Sequence, residues 1–160
     1  MINPNLRYLK HSNGTYSMKR GLCESCGISK SCPISSLDTH ACTDYQPVIP
    51  FKSLAGTEGL FNTFRLGGAW NFRVTPGQRI GLLDGKCNKI GEAVVESVVC
   101  GDKSEMLDQH AHMNHLILAK TVDDPVAELS RLVRNMYGTN FLARAKLFTV
   151  IYLQRVIEGV

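Results

Sequence analysis

The sequence predicts an α+β domain with a small cysteine-rich metal module ahead of it. Three observations lead there. Runs dense in β-branched and aromatic residues (Thr63-Phe64-Arg65, Arg79–Leu83, Ile90–Cys100 and Phe148–Val156) read as strands, set apart by turn residues such as Thr75-Pro76-Gly77-Gln78. Val126, Leu129, Leu132, Val133 and Met136 recur at helical spacing on one face. Four of the six cysteines, Cys23, Cys26, Cys32 and Cys42, fall within twenty residues.

At 160 residues, 44% hydrophobic and 20% charged, the chain has the makings of one sizeable core with room for a small appendage. The net charge is +4, and residues 101–160 balance at seven Lys/Arg and seven Asp/Glu, so the excess lies ahead of them. Mild basicity permits a nucleic-acid partner without demanding one. Met1 to Asn5 show no basic start with an apolar run behind it, and the apolar stretches are too short to span a bilayer. The expectation is no membrane association and a cytoplasmic protein, where clustered cysteines read as thiolate ligands more than disulfides.

Residues 1–20 are polar and read as an irregular N-terminal arm, with Asn13-Gly14 as a turn. Arg7, Lys10, Lys19 and Arg20 read as a solvated tail in preference to a phosphate grip. Residues 21–47 form the four-cysteine module, spaced C-x2-C-x5-C-x9-C. A C-x2-C pair brings two sulfurs to one ion from a single tight turn, and two later cysteines complete a tetrahedral shell. So short and polar a segment cannot bury a core, so the metal would supply its folding free energy. Zinc is the expected metal, because closed four-thiolate sites are most often structural zinc. An iron–sulfur cluster is the alternative, since four cysteines hold those too and Cys32-Pro33 suits a cluster loop. His40 reads as a neighbour of the site, and the module is where a protein partner would dock.

Pro47-Val48-Ile49-Pro50 reads as a stiff extended linker, with the main domain over 51–160 and a loop or short helix at its start. Gly59 to Asp84 then runs through a polar and basic strand, the Gly67-Gly68 pair, the only tryptophan (Trp70), a turn and a core strand. That order builds a pocket with a positive, hydrogen-bonding wall. Lys86 to Lys89 is the tip of a hairpin leading into the Ile90 strand. Cys87 and Cys100 read as ordinary loop and strand-end residues.

His110, His112 and His115 stand at i, i+2 and i+5. On a helix, i and i+2 diverge by about two hundred degrees, so His110 and His112 cannot chelate from one face. A helix-and-loop segment with one histidine facing the pocket is expected. Asp123-Asp124-Pro125 opens a helix and Tyr137-Gly138 ends it. Phe148 to Val156 is the closing strand.

Taken in order, Thr63-Phe64-Arg65, Pro76-Gly77-Gln78-Arg79-Ile80 and Ile90-Gly91-Glu92-Ala93-Val94-Val95 resemble the ASCH domain of the PUA-like superfamily, over Phe51 to Val160. The resemblance implies a small, mostly antiparallel β-barrel with flanking helices. It also implies binding of a nucleic acid or modified nucleotide, RNA favoured, in a cleft beside the Thr63-Phe64-Arg65 strand. Asn62, Thr63 and Arg65 would contact a base edge or phosphate, Trp70 or Phe64 would stack on a base, and Arg79 is counted with them as ligand-binding.

Some ASCH-like proteins are amidohydrolases that release an acyl group from modified cytidine. Their motif carries a lysine three residues before the threonine and a glutamate later. Here Leu60 holds the lysine position, and Asn114 or His115 stands where the glutamate is sought. That departure counts against the acylcytidine chemistry, and a hydrolase acting on a modified nucleoside or nucleic acid stays the alternative, with Thr63, His112 and His115 as its catalytic candidates.

Overall fold

The computed structural model describes residues 9–10, 16–17, 26–28, 30–32, 41–42 and 44–157. Its main sheet has five strands in the order β4-β6-β7-β8-β5. These are β4 (Val48–Pro50), β5 (Leu60–Leu66), β6 (Arg79–Leu83), β7 (Lys89–Asp102) and β8 (Leu147–Val156). All pairs are antiparallel except β4 with β6. The architecture is α+β, a mixed sheet curled into a half-barrel with helices packed on it, as the sequence predicts.

Two features of β7 explain the curl. It is long, and opposite β8 its register shifts between Val95 and Ser97, so Glu96 has no counterpart. One extra residue in one strand bends it and sharpens its twist. The concave side is filled from all five strands, by Ile49, Phe61, Ile80, Leu82, Ala93, Val95, Ile151 and Leu153, each 0–1% exposed. With side chains from both edge strands meeting in one core, the sheet cannot lie flat.

The other side carries the helices. In β8, Phe148 and Val150 face them while Ile151 and Leu153 face the barrel core, the period of two a strand with two buried faces must show. Helices α1 (Lys103–His110), α2 (His115–Leu118), α3 (Pro125–Tyr137) and α4 (Thr139–Arg144) follow β7. Asp102 caps α1 by accepting from Ser104 N, and Asp124 caps α3 by accepting from Ala127 N, with Pro125 at the first turn. Leu129 and Val133 of α3 pack with Phe64, Met106, Ile117 and Phe148 in the second core. Gly138, at φ 78°, ends α3 in a conformation a side chain would resist, and α4 starts at once.

Two expectations change. Pro47–Pro50 is no free linker: Val48–Pro50 is the parallel edge strand β4, with Ile49 fully buried. An edge position accommodates Pro50, which has no N–H to give. Within the arm expected to be irregular, β1 (Leu9–Lys10) and β2 (Tyr16–Ser17) pair with each other, and β2 pairs with β3 (Ala41–Cys42). The Asn13-Gly14 turn lies outside the described residues.

Candidate functional site

The two edges of the half-barrel leave a gap between β4 and β5, and a pocket of about 370 Å³ occupies it. Its walls come from Pro50–Ser53 after β4, Thr63–Arg65 of β5, Asn114–Leu116 at the start of α2, and the last turns of α3 through Met136 and Tyr137. The β6–β7 turn adds Asp84 and Cys87. The lining is mostly apolar with a few converging polar groups, the usual make-up of a small-molecule site.

Arg65 is its centre of charge. The side chain lies 5.6 Å from the Phe51 ring centroid and 5.8 Å from that of Trp70, and Nη2 donates to the Pro50 carbonyl at 2.9 Å. Its Nε is buried with no hydrogen-bond partner among the described residues. Burial works against the charge, with Tyr137 opposing it, yet a guanidinium stays protonated in proteins. Among the described residues no carboxylate lies within ion-pairing distance of it. Asp84, also in the lining, turns its carboxylate onto Lys86 N and Asn88 N of its own turn.

His115 is 6% exposed, held edge-on between the Phe51 ring at 5.0 Å and the Phe61 ring at 6.2 Å. Its Nδ1 stands 3.4 Å from the Ala55 carbonyl. Burial pushes its pKa down to about 4, opposed by that contact and helped by Arg65. The imidazole is therefore neutral at pH 7, leaving the positive charge of the lining to Arg65 and Lys52. The loop comes this close because residue 56 is glycine: a Cβ there would lie 2.0 Å from the His115 carbonyl oxygen.

The structure brings Thr63, Arg65, Asn114 and His115 together around one space. Thr63 is 4% exposed. Asn62 faces the other way. Its Nδ2 donates to the His110 carbonyl at 2.8 Å and its Oδ1 accepts from Asn114 at 3.4 Å. Adjacent strand residues point to opposite faces, so Asn62 anchors the α1–α2 turn while Thr63 and Arg65 face the gap. Trp70 packs against the barrel core with Arg65 and Arg73 over its ring. Arg79 lies outside the pocket lining and pairs with Glu92 at 2.7 Å. His112 is exposed on the short turn after α1, and His110 bonds through Nδ1 to the Tyr152 hydroxyl at 2.8 Å.

Sequence reasoning missed the wall from α3. In the sequence Met136 belongs to an apolar helix face and Tyr137 to a helix end, and neither carries a local sign that its neighbour is a pocket.

No family model and no curated protein matches the chain. Two solved structures are similar to part of it. One is a mutant form of the ASCH protein from Zymomonas mobilis, at 14% identity and a TM-score of 0.42, covering 69% of this chain and 71% of that one. The other is a protein from Enterococcus faecalis V583 assigned to the family model DUF984, at 16% identity and a TM-score of 0.43, covering 64% of each chain. This chain thus spans less than two thirds of the second protein's length.

Of the cysteine module, Cys23 lies outside the described residues. Cys26, 6% exposed, forms a small cluster with Tyr45, Ile28 and Cys42, and its Sγ accepts the Gln46 N–H at 3.3 Å. Cys32 is half-buried. Among the described residues no three metal-ligating side chains converge. The N–H donated to Cys26 Sγ suits a thiolate ligand, whose sulfur accepts such bonds.

The module is joined firmly to the sheet. Gly27 N donates to the Gln46 carbonyl at 2.9 Å, and Gln46 Nε2 donates to Glu92 Oε1 at 3.1 Å. Lys89 Nζ donates to Gln46 Oε1 at 2.9 Å and pairs with Glu92 at 2.5 Å. Although burial works against it, these hydrogen bonds and the nearby cations hold the Glu92 carboxyl below its ordinary range. No helix among the described residues is long and apolar enough to cross a membrane.

Proposed function

We propose that the chain is a nucleic-acid or modified-nucleotide binding module of the ASCH, PUA-like kind, with RNA the favoured ligand. One observation carries the reading: a guanidinium in a pocket of about 370 Å³, its Nε buried without a partner among the described residues. A buried donor without a partner costs free energy that a ligand acceptor would recover. A phosphate or a base carbonyl is such an acceptor, and the flat apolar walls at Phe51, Phe64 and Tyr137 suit a ring. The Thr63 hydroxyl offers a further hydrogen bond beside it.

Isothermal titration with the four nucleoside monophosphates, and with short RNA and DNA oligonucleotides, tests this directly. Arg65→Ala is expected to weaken binding by about 1–3 kcal/mol. Affinity unchanged for every ligand that binds would remove the anchor of the proposal.

The second part of the proposal is a structural metal held by Cys23, Cys26, Cys32 and Cys42, zinc in preference to an iron–sulfur cluster. The sulfur-directed N–H of Gln46 favours it. Residence in the cytoplasm, where thiols stay reduced, belongs to the same reading. Metal analysis with an absorption spectrum separates colourless zinc from a brown cluster, and a protein with neither would remove this part.

A further inference from the structure

The pocket rim carries an aromatic pair that the pocket itself does not use. Tyr137 lines the pocket together with Arg65. On its outer side the Phe141 ring lies nearly parallel, with centroids 6.4 Å apart and planes inclined by 18°. Phe141 is 60% exposed, so its other face is open to solvent. The sharp break at Gly138 makes the contact, since it starts α4 directly after α3 and returns Phe141 over Tyr137.

Cations flank this pair. Arg134 precedes Tyr137 by three residues and Arg144 follows Phe141 by three, so each lies one helical turn from an aromatic ring. Both are exposed, and among the described residues neither makes an ion pair. Arg131, nearby on α3, is by contrast taken up by Glu128 at 2.8 Å. An exposed aromatic face between two uncommitted arginines, continuous with a pocket that holds a third, matches the chemistry of single-stranded nucleic acid, with its stacking faces and regularly spaced phosphates.

We propose that Phe141 is a stacking platform for the nucleotide next to the one in the pocket, with Arg134 and Arg144 at its phosphates. The ligand is then a single strand and not a free nucleotide. This rests on the pocket being a nucleotide site, and the test separates the two.

The probes are a fluorescein-labelled ten-residue RNA of random sequence, its DNA counterpart, and an equimolar mixture of the four nucleoside 5′-monophosphates. Anisotropy reads the first two and calorimetry the third. Phe141→Ala is expected to weaken oligonucleotide binding about tenfold, leaving mononucleotide binding and the melting temperature unchanged. Phe141→Trp should restore it, and Arg65→Ala should weaken all three. Equal oligonucleotide affinity for Phe141→Ala and the parent, with Arg65→Ala still impaired, overturns the platform and spares the pocket. Failure of the parent to bind any probe overturns both. A concentration-dependent dimer that Phe141→Ala dissociates, with oligonucleotide binding untouched, reassigns the face to self-association and overturns the platform.

Discussion

Arg65 Nη2 donates to the Pro50 carbonyl at 2.9 Å, joining the two edges of the half-barrel across the pocket. The same side chain is thus both a ligand-facing cation and a clip between β5 and β4. Arg65→Lys keeps a charge but loses the planar fork that spans the Phe51 and Trp70 rings and the carbonyl. We expect a stability loss on the order of 1 kcal/mol by chemical denaturation, together with affinity near that of Arg65→Ala. Parental stability would show the clip to be idle.

Stability should fall as the solution is acidified from pH 6.5 toward pH 4. The His115 pKa drops from 6.5 to about 4 on folding, so in that window the unfolded chain takes up a proton the folded chain refuses. The folded state carries no such penalty above pH 6.5, and the stability lost reaches about 3 kcal/mol at the low end. His110, pushed down by burial and by His112, slopes the same way. Glu92, held below its ordinary range by its hydrogen bonds and the nearby cations, slopes the same way. Unfolding measured at pH 7 and pH 4.5 should differ less in His115→Gln than in the parent, and equal differences would mean the imidazole titrates normally.

Asn62 is a positioning residue for the α1–α2 turn. Asn62→Ala strands the buried Asn114 amide and the His110 carbonyl, which should cost about 1–3 kcal/mol. Ligand affinity should fall with it, because Asn114 and His115 lose their anchor. If stability is lost while binding at saturating folded fraction is kept, the pocket does not depend on that anchor.

Chelation of the proposed metal should lower the melting temperature of the whole domain. Gln46 is the reason: it contacts Cys26 Sγ and Gly27 on one side and Glu92 and Lys89 on the other. Gln46→Ala should shrink the shift that chelator produces, as read by calorimetry. A chelator shift of the same size in the variant would show the coupling to run elsewhere.

Deacetylation of an acetylated cytidine should be absent or weak. A hydroxyl nucleophile needs a base, and the leaving amine needs a proton donor. Leu60 carries no titratable group and is 43% exposed at the strand's start, while Asn114 is already engaged with Asn62 and Leu116 N. Turnover near 1 s⁻¹ that Thr63→Ala abolishes would overturn the preference for binding over hydrolysis.

Elements written in local chemistry were legible in the sequence. Arg79–Leu83 is a strand at both predicted ends, and α3 runs from Pro125 to the glycine after Tyr137, because propensity, alternation and caps act within a few residues. The pairing of Thr63 with Arg65 on one face of β5 follows from the same period of two. Tertiary structure alone decided what each face meets. Alternation separates Asn62 from Thr63 without saying which of them looks into a pocket. Pro47–Pro50 reads as a linker locally, and becomes β4 only because β6, some thirty residues on, offers a parallel edge. His115 is neutral because Phe51 and Phe61 enclose it, and Tyr137 is a pocket wall because α3 folds back over the gap. Burial and facing depend on contacts between distant segments, which no window along the chain contains.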